Sequence, residues 1–122
     1  MTNNYISIYD NALDKKYCDH LIKKFELHKE HQKKIQSDTY SFTEINMNQH
    51  NDWKDYIKVL ITQLYKKYIE KYVKDNNINL HQQWPEKYAF EEIRFKKYEV
   101  NNNDQFKDHV DVKDYDTMKR FL

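Results

Sequence analysis

The chain has 122 residues, enough for one domain and hardly two. With 21 Lys and Arg against 20 Asp and Glu, its net charge of +1 argues against a general nucleic-acid binder, which carries a strong basic excess. No apolar stretch is long enough to span a bilayer, and the opening MTNNYISIYDN lacks the basic and apolar regions of a signal peptide, so a soluble, cytoplasmic protein is expected.

YISIY (5–9) alternates and predicts a short strand. Asp14 can then cap a helix over about 15–33, with Tyr17, Cys18, Leu21, Ile22 and Phe25 as its apolar stripe. Cys18 is the only cysteine, so no internal disulfide forms, and packing suits it better than reactivity. TYSFTEINM (39–47) reads as a second strand, since Tyr40 and Phe42 alternate with hydroxyls. A second helix is expected over about 53–74, with Asp52 as N-cap and Trp53, Ile57, Leu60, Ile61, Leu64, Tyr68 and Tyr72 along one face. Residues 76–87, with the single proline Pro85, form a connection. YAFEEIRFKKYE (88–99) predicts a long strand, 101–104 a turn, 105–112 an extended segment and 113–117 a polar loop. MKRFL then begins another apolar run. The chain has no glycine, so positive φ angles must fall to Asn or Asp, and Asn51, Asn76-Asn77 and Asn101 to Asn103 are the obvious places.

The chemistry-bearing pattern is His109-Val110-Asp111. Six His and 12 Asp give ~0.6 H-x-D triplets by chance, so the bare pattern is weak, and His50-Asn51-Asp52 is a second example. Position separates them. Asp52 serves as a helix cap, and His28-Lys29-Glu30 falls inside the first helix, where i and i+2 point about 200° apart. His109 and Asp111 lie in an expected strand, where i and i+2 share a face. Val110 and Val112 would then point into packing while the pair faces a cavity. An imidazole and a carboxylate so placed are two-thirds of a facial triad for non-haem Fe(II). The competing reading is a surface strand with both side chains in water.

The residues around the pair add to this. YAFEEIRFKKYEVNNNDQFKDHVDV and MKRFL, with the opening YISIYDNALDKKYCDHLIKKFE, resemble the prolyl 4-hydroxylase-like Fe(II)/2-oxoglutarate dioxygenases, above all the small bacteriophage and bacterial members. Lys97-Tyr98, the Asn turn, and Phe106 three positions before His109 carry the likeness. It implies an α+β fold, N-terminal helices packed on the first strands of a double-stranded β-helix (jelly-roll) barrel that is incomplete. On that reading 1–122 is one domain, 1–87 the helical support region and 88–122 the first core barrel strands with the H-x-D. It implies His109 and Asp111 as Fe(II) ligands, Tyr98 on 2-oxoglutarate and Arg120 near the substrate. It implies hydroxylation of a substrate C–H with release of succinate and CO2, and ascorbate as an optional reductant. The substrate stays open: a peptidyl residue, a nucleobase or a small molecule all fit. Two departures matter. Asn replaces the family's turn glycine, and the family's distal His, its Lys or Arg anchor for 2-oxoglutarate and its Gly-Gly-Glu-Thr stretch do not occur, so a C-terminally truncated domain, inactive alone, is expected. The alternative is a non-catalytic remnant or half-domain that works by binding a protein.

Overall fold

Asp14 lies in extended backbone and accepts hydrogen bonds from the amides of Lys16 (2.8 Å) and Tyr17 (3.3 Å), which opens α1, Lys15–Leu27. This is seen in a computed structural model that describes residues 5–79 and 82–120. The helix stops at His28, earlier than its sequence suggests. His28 leaves helical geometry, and the side-chain amide of Gln32 donates to the Phe25 carbonyl at 2.7 Å, satisfying an orphan acceptor at the helix end. A 3-10 turn, Lys29–His31, follows.

The strands are β1 (Lys33–Gln36), β2 (Tyr40–Asn46), β3 (Arg94–Lys97) and β4 (Gln105–Phe106). They form one small, open antiparallel sheet in the order β1-β2-β3, with β4 also on β2. Ile35 faces Phe42 across β1 and β2, and Tyr40 faces Phe106 across β2 and β4. The protein is therefore α+β. No helix among the described residues is long and apolar enough to cross a membrane.

Packing divides the chain into two compact units. The first comprises Met1–Gln32 and Ile45–Phe95. Its core is Leu21, Phe25, Ile45, Met47, Trp53 and Leu60, with Leu13, Tyr17, Ile57, Leu64, Ile93 and Phe95 against it. Ile45 and Trp53 are wholly buried, and each such side chain contributes roughly 1.5–3 kcal/mol of burial free energy. The second helix is continuous but irregular: a 3-10 turn (Asn51–Trp53), α2 (Lys54–Val59), a π-helical stretch (Leu60–Tyr65) and α3 (Lys66–Asp75). Thr62 donates its hydroxyl to the Lys58 carbonyl at 2.7 Å just where the helix widens. Trp84, Tyr88 and Phe90 hold the connection to the helix through ring contacts with Tyr72 and Tyr65.

The second unit comprises Lys33–Glu44 and Lys96–Leu122. Asp104 is its hub. Its carboxylate has no solvent exposure and pairs with the Lys34 ammonium, the Ser41 hydroxyl (2.8 Å) and the Glu99 amide (2.9 Å). These bonds, Lys34 foremost, hold its pKa down at about 2. Phe42 is buried here, against Tyr40, Tyr98 and Phe106.

Several expectations are corrected. Residues 5–9 form no strand, and Tyr72 donates its hydroxyl to the Tyr5 carbonyl at 2.7 Å. Ile22 is exposed rather than part of the stripe. Asp52 does not cap the second helix, since it falls inside the 3-10 turn, and no side chain caps that start. The long strand shrinks to Arg94–Lys97, and ahead of it Tyr88 and Phe90 pack ring against ring. Positive φ occurs at Asn77 and Asn103 but also at Asn11, and not at Asn51. His81 and the Phe121-Leu122 end lie outside the described residues.

Asp14→Ala should lower stability by about 1 kcal/mol in urea unfolding, as loss of a helix cap does. Asp104 has a folded pKa below its ordinary 3.8, so its contribution is full above 3.8 and disappears as pH falls through about 2. Asp104→Asn should therefore be less stable at neutral pH and should flatten the acid-unfolding curve between those two values, followed by circular dichroism.

Candidate metal centre

Asn103, with φ of 54°, reverses the chain after the 3-10 turn Val100–Asn102 and delivers β4 to β2. The Lys107 amide still bonds the Thr39 carbonyl at 2.8 Å, and then the chain leaves the sheet. Residues 107–112 are therefore not a strand. Val110 and Val112 are exposed rather than packed, and His109 and Asp111 sit at the surface rather than in a cavity. The extended pattern fails because β2 offers β4 partners only at Tyr40 and Ser41.

His109 and Asp111 nevertheless meet. The imidazole stacks on Phe106 with centroids 3.9 Å apart and planes 11° apart. Its Nδ1 lies 2.9 Å from the Lys107 carbonyl, and its Nε2 lies 3.2 Å from Asp111 Oδ1. Arg120 donates to the Asp111 carbonyl at 3.2 Å. It is returned there by the loop that Asp114 and Thr117 close, with the Thr117 amide 2.9 Å from Asp114 Oδ1. Those bonds to Thr117 also hold the Asp114 carboxyl below its ordinary pKa. Tyr98 joins through rings: it packs on Phe42 at 5.5 Å, Phe42 on Phe106 at 6.2 Å, and Phe106 on His109. Partial burial, then Asp104 and Glu44, raise the Tyr98 pKa, so its phenol stays a protonated donor.

The tautomer decides what the pair can do. A carbonyl only accepts, so His109 Nδ1 carries hydrogen. In the neutral ring Nε2 then carries a lone pair and lies 3.2 Å from a carboxylate oxygen that is also an acceptor. Two acceptors at 3.2 Å need a positive centre between or beside them. A proton on Nε2 would make an exposed ion pair worth ~0–1 kcal/mol. A divalent ion with ~2.0–2.2 Å bonds to adjacent ligands also suits this separation. A histidine that donates its far N–H to a backbone carbonyl has the outer-shell arrangement usual for a metal ligand. The donor set therefore fits a metal.

A second cluster lies in the first unit. Glu30 Oε1 is 2.8 Å from His28 Nδ1 and 3.7 Å from His31 Nε2, and the three side chains are close enough to share an ion. Sequence reasoning put His28 and Glu30 inside a helix and so apart. They meet because α1 ends at Leu27, and the following 3-10 turn eclipses residues i and i+3. The His28 and His31 rings accordingly stack at 5.0 Å and 3°. The available signal was the end of the apolar period after Phe25. Here the protons are all placed. The Trp53 indole can only donate, so His31 Nδ1 accepts from it at 3.4 Å and the hydrogen of the neutral ring sits on Nε2, with Glu30 Oε1 3.7 Å away, beyond hydrogen-bond reach. His28 Nδ1–H turns to Glu30, and its Nε2 faces the Lys24 ammonium at 3.5 Å. In that cluster a metal on His31 Nε2 would turn an N–H against the Trp53 N–H. By donor count it looks the better metal site; by proton placement His109 and Asp111 do.

No family model, curated protein or solved structure matches this chain.

Nitrogen-15 spectra near pH 8 should show His109 as the Nδ1–H tautomer and His31 as Nε2–H. Finding His109 protonated on Nε2 alone would remove the outer-shell argument.

Proposed function

We propose that this chain belongs to an Fe(II)- and 2-oxoglutarate-dependent dioxygenase of prolyl 4-hydroxylase-like type, with His109 and Asp111 as protein ligands to the metal. The observation that supports this most is His109 Nε2 lying 3.2 Å from Asp111 Oδ1 while the Lys107 carbonyl fixes the other nitrogen. The fold that goes with it is a double-stranded β-helix, to which the four strands would contribute. Fe(II), when bound with 2-oxoglutarate and oxygen, supplies oxidative decarboxylation of the 2-oxo acid to succinate and CO2, coupled to hydroxylation of a substrate C–H. Ascorbate would serve to keep the metal reduced.

The chain's own part is positioning. Phe106 holds the imidazole plane by stacking, and the Lys107 carbonyl holds its tautomer. Arg120 restrains Asp111 through its carbonyl and stands on the substrate side of the pair in this reading. The Tyr98 phenol, kept protonated, can donate to a carboxylate of 2-oxoglutarate. Among the described residues the only group of three metal-competent side chains is His28, Glu30 and His31, so none brings a third protein ligand to the pair.

A second reading has its own observation. Val100, Val110, Tyr115 and Met118 are more than half exposed in the second unit, which suits a non-catalytic module that binds a protein.

Calorimetric titration of the metal-free chain with Mn(II) tests the choice. One ion should bind per chain. His109→Ala with Asp111→Ala should weaken binding by more than the ~10–100-fold that an outer-shell change costs, and His28→Ala with His31→Ala should leave it unchanged. Binding lost only in the second double variant would move the metal to the first unit. No binding at all would favour the protein-binding module.

A further inference from the structure

Lys96 stands out among the cations of the second unit. Its neighbours are paired: Lys97 reaches Glu99 at 3.1 Å, and Lys34 holds Asp104. Among the described residues Lys96 has no carboxylate partner. It is half-buried, and its ammonium lies over two rings, 4.5 Å from the Phe42 centroid and 5.3 Å from the Phe106 centroid. Ring faces attract a cation but accept none of its three N–H bonds as an oxygen would. Phe106 is also the ring on which His109 stacks. The Tyr98 ring packs on Phe42 as the Lys96 ammonium does. The acids near Tyr98 do not fill the place. Asp104 is taken by Lys34, Ser41 and the Glu99 amide, and Glu44 stands opposite Lys33 in the sheet.

We propose that the Lys96 ammonium, above a floor of Phe42 and Phe106, forms a carboxylate site, so that the substrate presented to His109 and Asp111 is an organic acid with an apolar or aromatic body. The substrate class rests on the reading of that pair as the reactive centre; the carboxylate site itself does not. The acid group would take the ammonium, and the body would lie on the rings beside His109. A charge-assisted bond to the ammonium supplies the preference for an anion, and ring contact supplies the preference for an apolar body.

The test uses the whole chain without metal, so that it stands apart from the Mn(II) titration. Ring signals of Phe42 and Phe106 are followed by NMR as phenylacetate or its uncharged analogue phenylacetamide is added. Phenylacetate should shift both rings saturably, and phenylacetamide should bind at least about tenfold more weakly. Lys96→Met should remove that difference, and Lys96→Arg should keep it. A retained contact between the Phe42 and Tyr98 rings shows that each variant is folded. Equal binding of the two probes, no binding of either, or an undiminished preference in Lys96→Met overturns the proposal. Failure of Mn(II) to bind while phenylacetate does so through Lys96 would leave the carboxylate site and reject the metal centre.

Discussion

Burying an indole completely leaves one N–H that must find an acceptor. Trp53 has no solvent exposure, and an unmatched N–H there would cost about 1–3 kcal/mol. His31 Nδ1 meets that need. To bring it there, α1 has to end at Leu27 and the 3-10 turn has to follow at once. Gln32 then closes the helix end on Phe25, which lies in the same core as Trp53. Lys24 covers the Trp53 and Tyr56 rings, at 5.1 and 5.0 Å. Much of the first unit follows from the demand of a single donor.

The same accounting gives opposite answers at the two histidine clusters. At His28, Glu30 and His31 a donor-only indole forces the proton onto the nitrogen that an ion would need. At His109 an acceptor-only carbonyl forces the proton away from it. The number of ligating side chains favours the first cluster, and the location of hydrogen favours the second. Exposure changes the weight of each. His31 is mostly buried, so an error in its hydrogen bonding would be costly, whereas His109 and Asp111 lie open to water and to ligands.

A chain without glycine and with 16% aromatic residues solves its folding problems in a particular way. Asn11, Asn77 and Asn103 take the left-handed turns, since a short amide side chain tolerates that region. Rings and ammonium groups do much of the surface packing, as with Lys67 on Tyr68, Lys71 on Tyr9 and Lys96 on Phe42 and Phe106. Such contacts keep long lysine stems over apolar surface while their heads stay near water. Lys96 is the case in which this habit meets the candidate site.

Local features were legible in the amino-acid order. The Asp14 cap, the stripe through Tyr17, Leu21 and Phe25, the apolar face from Trp53 onward, the β2 strand and the Asn turn at 101–104 each depend on a few neighbouring residues. So does the approach of His109 to Asp111, which are two positions apart, although a bend and not a strand brings it about. The order alone did not show that Lys33–Gln36 would pair with β2, that residues 5–9 and 88–92 would lie outside the strands, or that Asp52 would fall inside a turn. It did not show the meeting of His28, Glu30 and His31, the burial of Asp104 against Lys34, or the place of Lys96. A cap or a periodic stripe is settled within one or two turns of chain. A ladder, a ring proton and a long-range ion pair are settled by partners 20 to 70 residues away, as with Trp53 on His31 and Lys34 on Asp104, and only the tertiary structure supplies those.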